Sequence, residues 1–165
     1  SYTDTITINW NYSICFVGVL GVCVYTEGTS TSTVTVSLTV TNYCYIDSAP
    51  DVDFGTSALP SGFSSISSSI SVSCTLDAAY TINLISSNAE SDDWRQMSST
   101  VDSSTYYLQY QIARSNGTIW SSSNDYSDTG TGESQSIAYT ASINSSQSAL
   151  PAGSYSDTVT VTVTY

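Results

Sequence analysis

Thr5-Ile-Thr-Ile-Asn-Trp-Asn-Tyr-Ser-Ile14 alternates without a break: Ile6, Ile8, Trp10, Tyr12 and Ile14 are apolar, and every residue between them is polar. Successive side chains of a strand point to opposite faces, so this period of two describes a long strand with one apolar face. The same rhythm returns in Val34, Val36, Leu38 and Val40, in Ile66, Ile70, Val72 and Cys74, in Tyr80, Ile82 and Leu84, and in Val159, Val161, Val163 and Tyr165. Residues 106–113 and 137–143 read as further strands. Turn signals separate them at Ser48-Ala-Pro-Asp51, Leu59-Pro-Ser-Gly62, Asn116-Gly117, Gly130-Thr-Gly132 and Leu150-Pro-Ala-Gly153, with Ile119-Trp120 starting a return strand after Asn116-Gly117. No segment holds a helical period, and short strands at this spacing lead to a β-sandwich. Two stretches read as irregular: polar Glu27–Thr33 as a linker or loop, and serine-rich Ser86–Thr105 as a long surface loop from which Trp94 and Met97 pack inward.

Composition narrows the function classes. Lysine and histidine are absent, and Arg95 and Arg114 face fourteen carboxylates, for a formal charge of −12. Phosphate recognition needs clustered basic residues, so nucleic acid is not an expected partner, and an anionic bilayer surface would repel the chain. Its longest apolar run, Phe16–Leu20 around Gly18, is too short to span a bilayer, and no membrane insertion is expected. Nothing resembles a basic region followed by an apolar one, so any signal peptide is expected to have been removed already. Cys15, Cys23, Cys44 and Cys74 form no Cys-x-x-Cys pair, and without histidine a zinc site lacks its usual ligands. Two disulfides in an oxidising compartment fit better. Gly18 and Gly21 lie between Cys15 and Cys23, which reads as a turn or hairpin stapled by a short-range bridge.

Sharper chemistries find little support. A serine nucleophile needs a general base, and the usual His and Lys are missing. Asp51 and Asp53, or Asp92 and Asp93, lack the spacing of a calcium loop and read as solvated turn carboxylates. Chance carboxylate pairs are expected among so many acids, so glycoside hydrolysis is not favoured and no cofactor is expected. Trp10, Trp94 and Trp120 with the thirteen tyrosines fit cross-strand packing better than a sugar platform. Asn11-Tyr-Ser13, Asn116-Gly-Thr118 and Asn144-Ser-Ser146 match the glycosylation triplet, which arises easily in a Ser/Thr-rich chain. The apolar tip of Phe16, Val17, Val19 and Leu20 is a candidate adhesive finger, with packing against a neighbouring subunit or its own domain as the plainer reading.

The two ends of the chain nearly repeat each other. Ser1-Tyr-Thr-Asp-Thr-Ile-Thr-Ile-Asn-Trp10 parallels Ser154-Tyr-Ser-Asp-Thr-Val-Thr-Val-Thr-Val163. The ending Leu150-Pro-Ala-Gly-Ser-Tyr-Ser-Asp-Thr-Val-Thr-Val-Thr-Val-Thr-Tyr165 resembles the closing signature of the spore coat protein U family, whose members build archaic chaperone-usher pili. Other pieces fall in that family's order: Val34–Val40 leading into Cys44, then Asp53-Phe-Gly55, Ile70–Cys74 before Tyr80–Leu84, and Arg95-Gln-Met97 before Tyr106–Gln111. The likeness covers roughly residues 33–165, which it marks as the pilin domain, with residues 1–32 as an N-terminal extension carrying a donor strand and the stapled hairpin.

The resemblance implies an all-β, incomplete immunoglobulin-like sandwich that lacks its last strand and is completed by donor-strand exchange. Its open groove would lie beside Val159, Val161, Val163 and Tyr165. A periplasmic chaperone, met on the way to the outer-membrane usher, would fill it first. The N-terminal strand of an identical or homologous pilin subunit would follow, giving an extracellular surface filament. Ile6, Ile8, Trp10, Tyr12 and Ile14 are the expected donor face, with residues 33–41 as the competing donor at the family's usual place. The family's bridge implies Cys44 with Cys74, leaving Cys15 with Cys23. Two alternatives accompany this reading: the C-terminal pilin domain of a two-domain tip adhesin, and a secreted surface-binding sandwich module.

Overall fold

A computed structural model describes residues 1–91 and 93–165, with the side chains of residues 16–19 outside the description. Asp92 of the weighed calcium pair and the side chains of Phe16, Val17 and Val19 of the apolar tip therefore lie outside the described residues. The chain divides into two units, Ser1–Thr41 and Asn42–Tyr165.

Unit 1 is an antiparallel ribbon of β1 (Tyr2–Val19) and β2 (Val22–Leu38). Val19 stands opposite Val22, leaving Leu20-Gly21 as the loop, with φ of 56° and 85°. Positive φ at both loop residues gives the turn whose twist matches that of the strands it joins. Cys15 and Cys23 are bridged next to this turn, where the register slips between Cys15 and Val17. Ile6 faces Val34, Asp4 faces Val36 and Tyr2 faces Leu38. Directly opposed residues share a face, so Ile6, Ile8, Trp10, Tyr12 and Ile14 lie on the same side as Val34, Val36 and Leu38. On the other, Thr3, Thr5 and Thr7 oppose Ser37, Thr35 and Thr33. Glu27–Thr33, expected as a linker, forms the middle of β2. Composition misled there because β-branched threonines accept a ladder once a partner strand supplies one. Within that stretch Tyr12 lies over Gly28, where an added Cβ would meet its hydroxyl at 2.3 Å, so a side chain there requires the Tyr12 ring to move.

Unit 2 holds two antiparallel sheets. The larger runs in the order β3 (Cys44–Ser48), β4 (Ile66–Cys74), β9 (Ser134–Ile143), β7 (Ser104–Arg114) and β6 (Arg95–Val101). The smaller runs β10 (Val159–Thr164), β5 (Ala79–Ser86) and β8 (Tyr126–Thr129). Alternate residues of β4, β5, β7 and β9 turn inward, bringing Ile70, Val72, Ile82, Leu84, Ile112 and Ala141 into one core with Trp120, which is fully buried. Side chains of this size each contribute about 1.5–3 kcal/mol on burial. Cys44 lies directly opposite Cys74 and is bridged to it, tying β3 to β4. This sandwich carries the immunoglobulin-like arrangement expected from the sequence.

One local expectation here needs correction. Ser86–Thr105 is not one long loop: β6 lies within it and pairs with β7 from Arg95↔Tyr110 to Val101↔Ser104. Its run of Ser and Thr hides a strand because an edge strand of small polar residues has little apolar contrast. The return at Ile119-Trp120 is present but short: Arg114 N donates to Thr118 O, Ala113 bridges Ile119 and Trp120 N donates to Ile112 O, after which the chain crosses to the other sheet as β8. Among the described residues no helix is long and apolar enough to cross a membrane.

Candidate acceptor groove

β10 is built from Val-Thr repeats, and its valines are half-buried while its threonines are exposed. It pairs with β5 from Val159↔Ser86 to Thr164↔Thr81 and ends its sheet, so among the described residues no strand lies along its other edge. Beside that edge a cavity of about 280 Å³ opens between the sheets. Val159 and Val161 line it, Leu84, Ile112 and Ala141 form its apolar floor, and Val52 and Phe54, from the segment after β3, help to line it. A second hollow of about 450 Å³, lined by Leu59, Phe63, Leu108 and Leu150, shares Tyr155 with the first. An unpaired edge leaves a row of backbone donors and acceptors ready for another chain. A strand laid here would satisfy those groups and lower every second side chain into the cavity.

The segment leading into β10 is latched by Asp157. Its carboxylate accepts bonds from Ser86 Oγ at 2.6 Å, Ser87 Oγ at 2.7 Å, Tyr110 Oη at 2.6 Å and Asn88 Nδ2 at 3.2 Å. Burial alone would raise this carboxyl, but the bonds from Ser86, Tyr110, Ser87 and the Thr158 amide outweigh it and hold it below its ordinary value. Burial, reinforced by Asp157, pushes the Tyr110 hydroxyl up, so it remains a neutral donor. Just upstream, Ser156 and Ser98 exchange two backbone bonds, of 2.8 and 3.1 Å. The lip of the groove is therefore held from β5, β6 and β7 together.

The expected site residues fall in two places. Val159 and Val161 line the cavity and Val163 packs against the core. Tyr165 is half exposed and meets Tyr43 edge-on at 5.9 Å. Ile6, Ile8, Trp10, Tyr12 and Ile14 are all exposed on the ribbon of unit 1. There β1 and β2 pair with each other, so the two candidate donors are joined in one hairpin. Leu20 is 99% exposed at the turn. Sequence reasoning did not single out the Asp157 latch, and it quoted Phe54 only within Asp53-Phe-Gly55, without placing it or Val52 at the groove. The repeat of Asp157 by Asp4 was the available signal for the latch.

The profile of the Spore Coat Protein U domain matches residues 30–162. The chain belongs to the Spore Coat Protein U domain family. Among solved structures, this family member is similar to a chain from a chaperone–tip adhesion subunit pre-assembly complex of archaic chaperone-usher Csu pili of Acinetobacter baumannii, with 24% identity and a TM-score of 0.59. That match covers 98% of this chain and 57% of the other. It is also similar to a chain from a chaperone–tip adhesin complex of CFA/I fimbriae, with 14% identity, a TM-score of 0.50, and coverage of 96% and 51%. This Spore Coat Protein U chain thus spans little more than half the length of either. A comparison with curated proteins returned no match.

Proposed function

We propose that this Spore Coat Protein U chain is a structural subunit of an extracellular chaperone-usher pilus, joined to its neighbour by a strand laid along β10. The observation that carries the reading is the open edge of β10 beside an apolar cavity. Burying apolar surface at about 25 cal/mol per Å2 while pairing a row of backbone groups gives a strong drive to accept a strand. Similarity to chains from chaperone complexes supports a periplasmic chaperone as the first occupant and another pilin subunit as the second. In turn, the ribbon of unit 1 can donate a strand only if β1 and β2 part.

The test is a charge placed at the lip. Val161→Asp should abolish filaments seen by electron microscopy of secreted material, while the isolated chain keeps its far-UV spectrum because Val161 lies at an edge. Unchanged filaments would defeat the proposal.

A second reading has its own observation. With β1 and β2 paired along their length, no free donor stands ready, which suits a terminal subunit such as the C-terminal pilin domain of a tip adhesin. Immunogold labelling separates the two: gold along the shaft supports a repeating subunit, and gold at filament ends supports a terminal one.

A further inference from the structure

Each end of the chain centres its repeat on an aspartate, Asp4 and Asp157. Asp4 Oδ1 accepts the amide of the following residue, Thr5, at 2.8 Å, whereas the Thr158 amide donates to Ser87 Oγ at 3.3 Å. Aligned on these aspartates, Tyr2, Asp4, Ile6, Ile8 and Trp10 correspond to Tyr155, Asp157, Val159, Val161 and Val163. β1 thus repeats the sequence of β10 in a different setting: among the described residues β10 has β5 on one edge and no strand on the other, whereas β1 is paired with β2 alone.

β2 opposes Tyr2, Asp4 and Ile6 with Leu38, Val36 and Val34, and opposes Ile8 and Trp10 with Ser32 and Ser30. Carried across, the three large residues would stand opposite Tyr155, Asp157 and Val159. Those three residues line the cavity of about 280 Å³. The backbone agrees with this placement. Ser156 bonds to Ser98 of β6, and Thr158 O accepts from Ser87 N just after β5, so the backbone groups of both are already engaged. Alternate residues of a strand direct their backbone groups to opposite edges, which leaves those of Tyr155, Asp157 and Val159 for the open one.

We infer that the β1–β2 pair is a built-in copy of the completed groove, and that the groove accepts a strand of β2's pattern antiparallel to β10. Such a strand places large apolar side chains opposite Tyr155, Asp157 and Val159, and small ones opposite Val161 and Val163. This deepens the proposed function and rests on it, because it specifies which strand the groove takes. β1 is the poorer ligand, since Trp10 and Tyr12 interrupt the small positions and its face mimics the acceptor edge.

Binding of synthetic peptides to the full chain tests this, with hydrogen exchange locating the contact. A peptide of residues 26–38 should bind and slow exchange at Tyr155, Asp157, Val159 and Val161. The same peptide carrying Ser32→Trp or Val36→Asp, and a peptide of residues 2–14, should each bind at least about tenfold more weakly. Equal or tighter binding by the 2–14 peptide, or protection falling on β1 instead of β10, overturns the inference and leaves the groove's function standing. If neither peptide binds, the acceptor reading falls with it.

Discussion

Asp157 shows how one side chain can hold an open edge in place. Four side-chain donors converge on it from β5, β7 and the loop after β5, so removing its charge leaves several of them without an acceptor. Hydrogen bonds to a charged group contribute about 1.5–3 kcal/mol, and Asp157→Asn should lower unfolding free energy at neutral pH by about 2 kcal/mol in urea titrations. The pH dependence has a definite sign. The folded carboxyl titrates below the unfolded one, so its contribution is complete above the ordinary carboxylate value of about 4 and is lost as pH falls through the lower folded value. Urea titrations from pH 7 down to pH 2 should therefore show the gap between wild type and Asp157→Asn closing only below about pH 4. Arg95 plays the complementary part inside. It is 1% exposed, pairs with Glu90 at 2.6 Å, and donates to Leu84 O and Trp120 O at 2.9 Å each. Arg95→Ala strands a half-buried carboxylate and two buried carbonyls, for an expected cost of about 3–5 kcal/mol by chemical denaturation.

Among the elements, the ribbon of unit 1 owes most to its cross-links. A two-stranded hairpin is marginal by itself in water, and both strands here expose their apolar face. The Cys15–Cys23 bridge closes a short loop next to the turn, worth about 2.5 kcal/mol on the chain-entropy estimate. Replacing both cysteines by serine should therefore raise amide exchange throughout β1 and β2 while leaving β4, β5, β7 and β9 unchanged, as read by mass spectrometry. The edge strand β6 shows where element reading from sequence stops. Gln96, Ser98, Ser99 and Thr100 carry no apolar rhythm, and their strand character comes from the register with β7. The apolar face of β10, in contrast, was legible, because Val159, Val161 and Val163 alternate with threonines as the burial does, although the strand itself ends at Thr164 and leaves Tyr165 exposed.

At the scale of the whole molecule, the proposed subunit function rests on an absence: among the described residues no strand lies along the outer edge of β10. Nothing in Thr158–Tyr165 by itself says that one edge lacks a partner. That follows from the strand order, in which, among the described residues, β10 has β5 alone beside it. Ile6–Ile14 was legible as a strand with one apolar face, yet its pairing with residues 26–34 depends on a hairpin whose far strand reads as a polar linker. The purified chain should therefore form no filaments while β1 and β2 are cross-linked by an added disulfide, if the ribbon is the donor. Filaments that still incorporate the cross-linked chain at their ends, seen by electron microscopy, would mark it as terminal.

By itself the sequence determined the all-β class and the apolar faces of the long strands. These follow from local composition and a period of two, and each is carried by neighbouring residues. The family resemblance pointed to a groove beside Val159–Tyr165; only the tertiary structure decided that Asp157 latches its lip, which residues line the cavity behind it, and that the two candidate donor strands hold each other. Those facts belong to pairings between residues far apart in the chain. Strand pairing is made by backbone groups that every sequence shares, so side-chain patterns show which face is apolar and leave the partner to the fold.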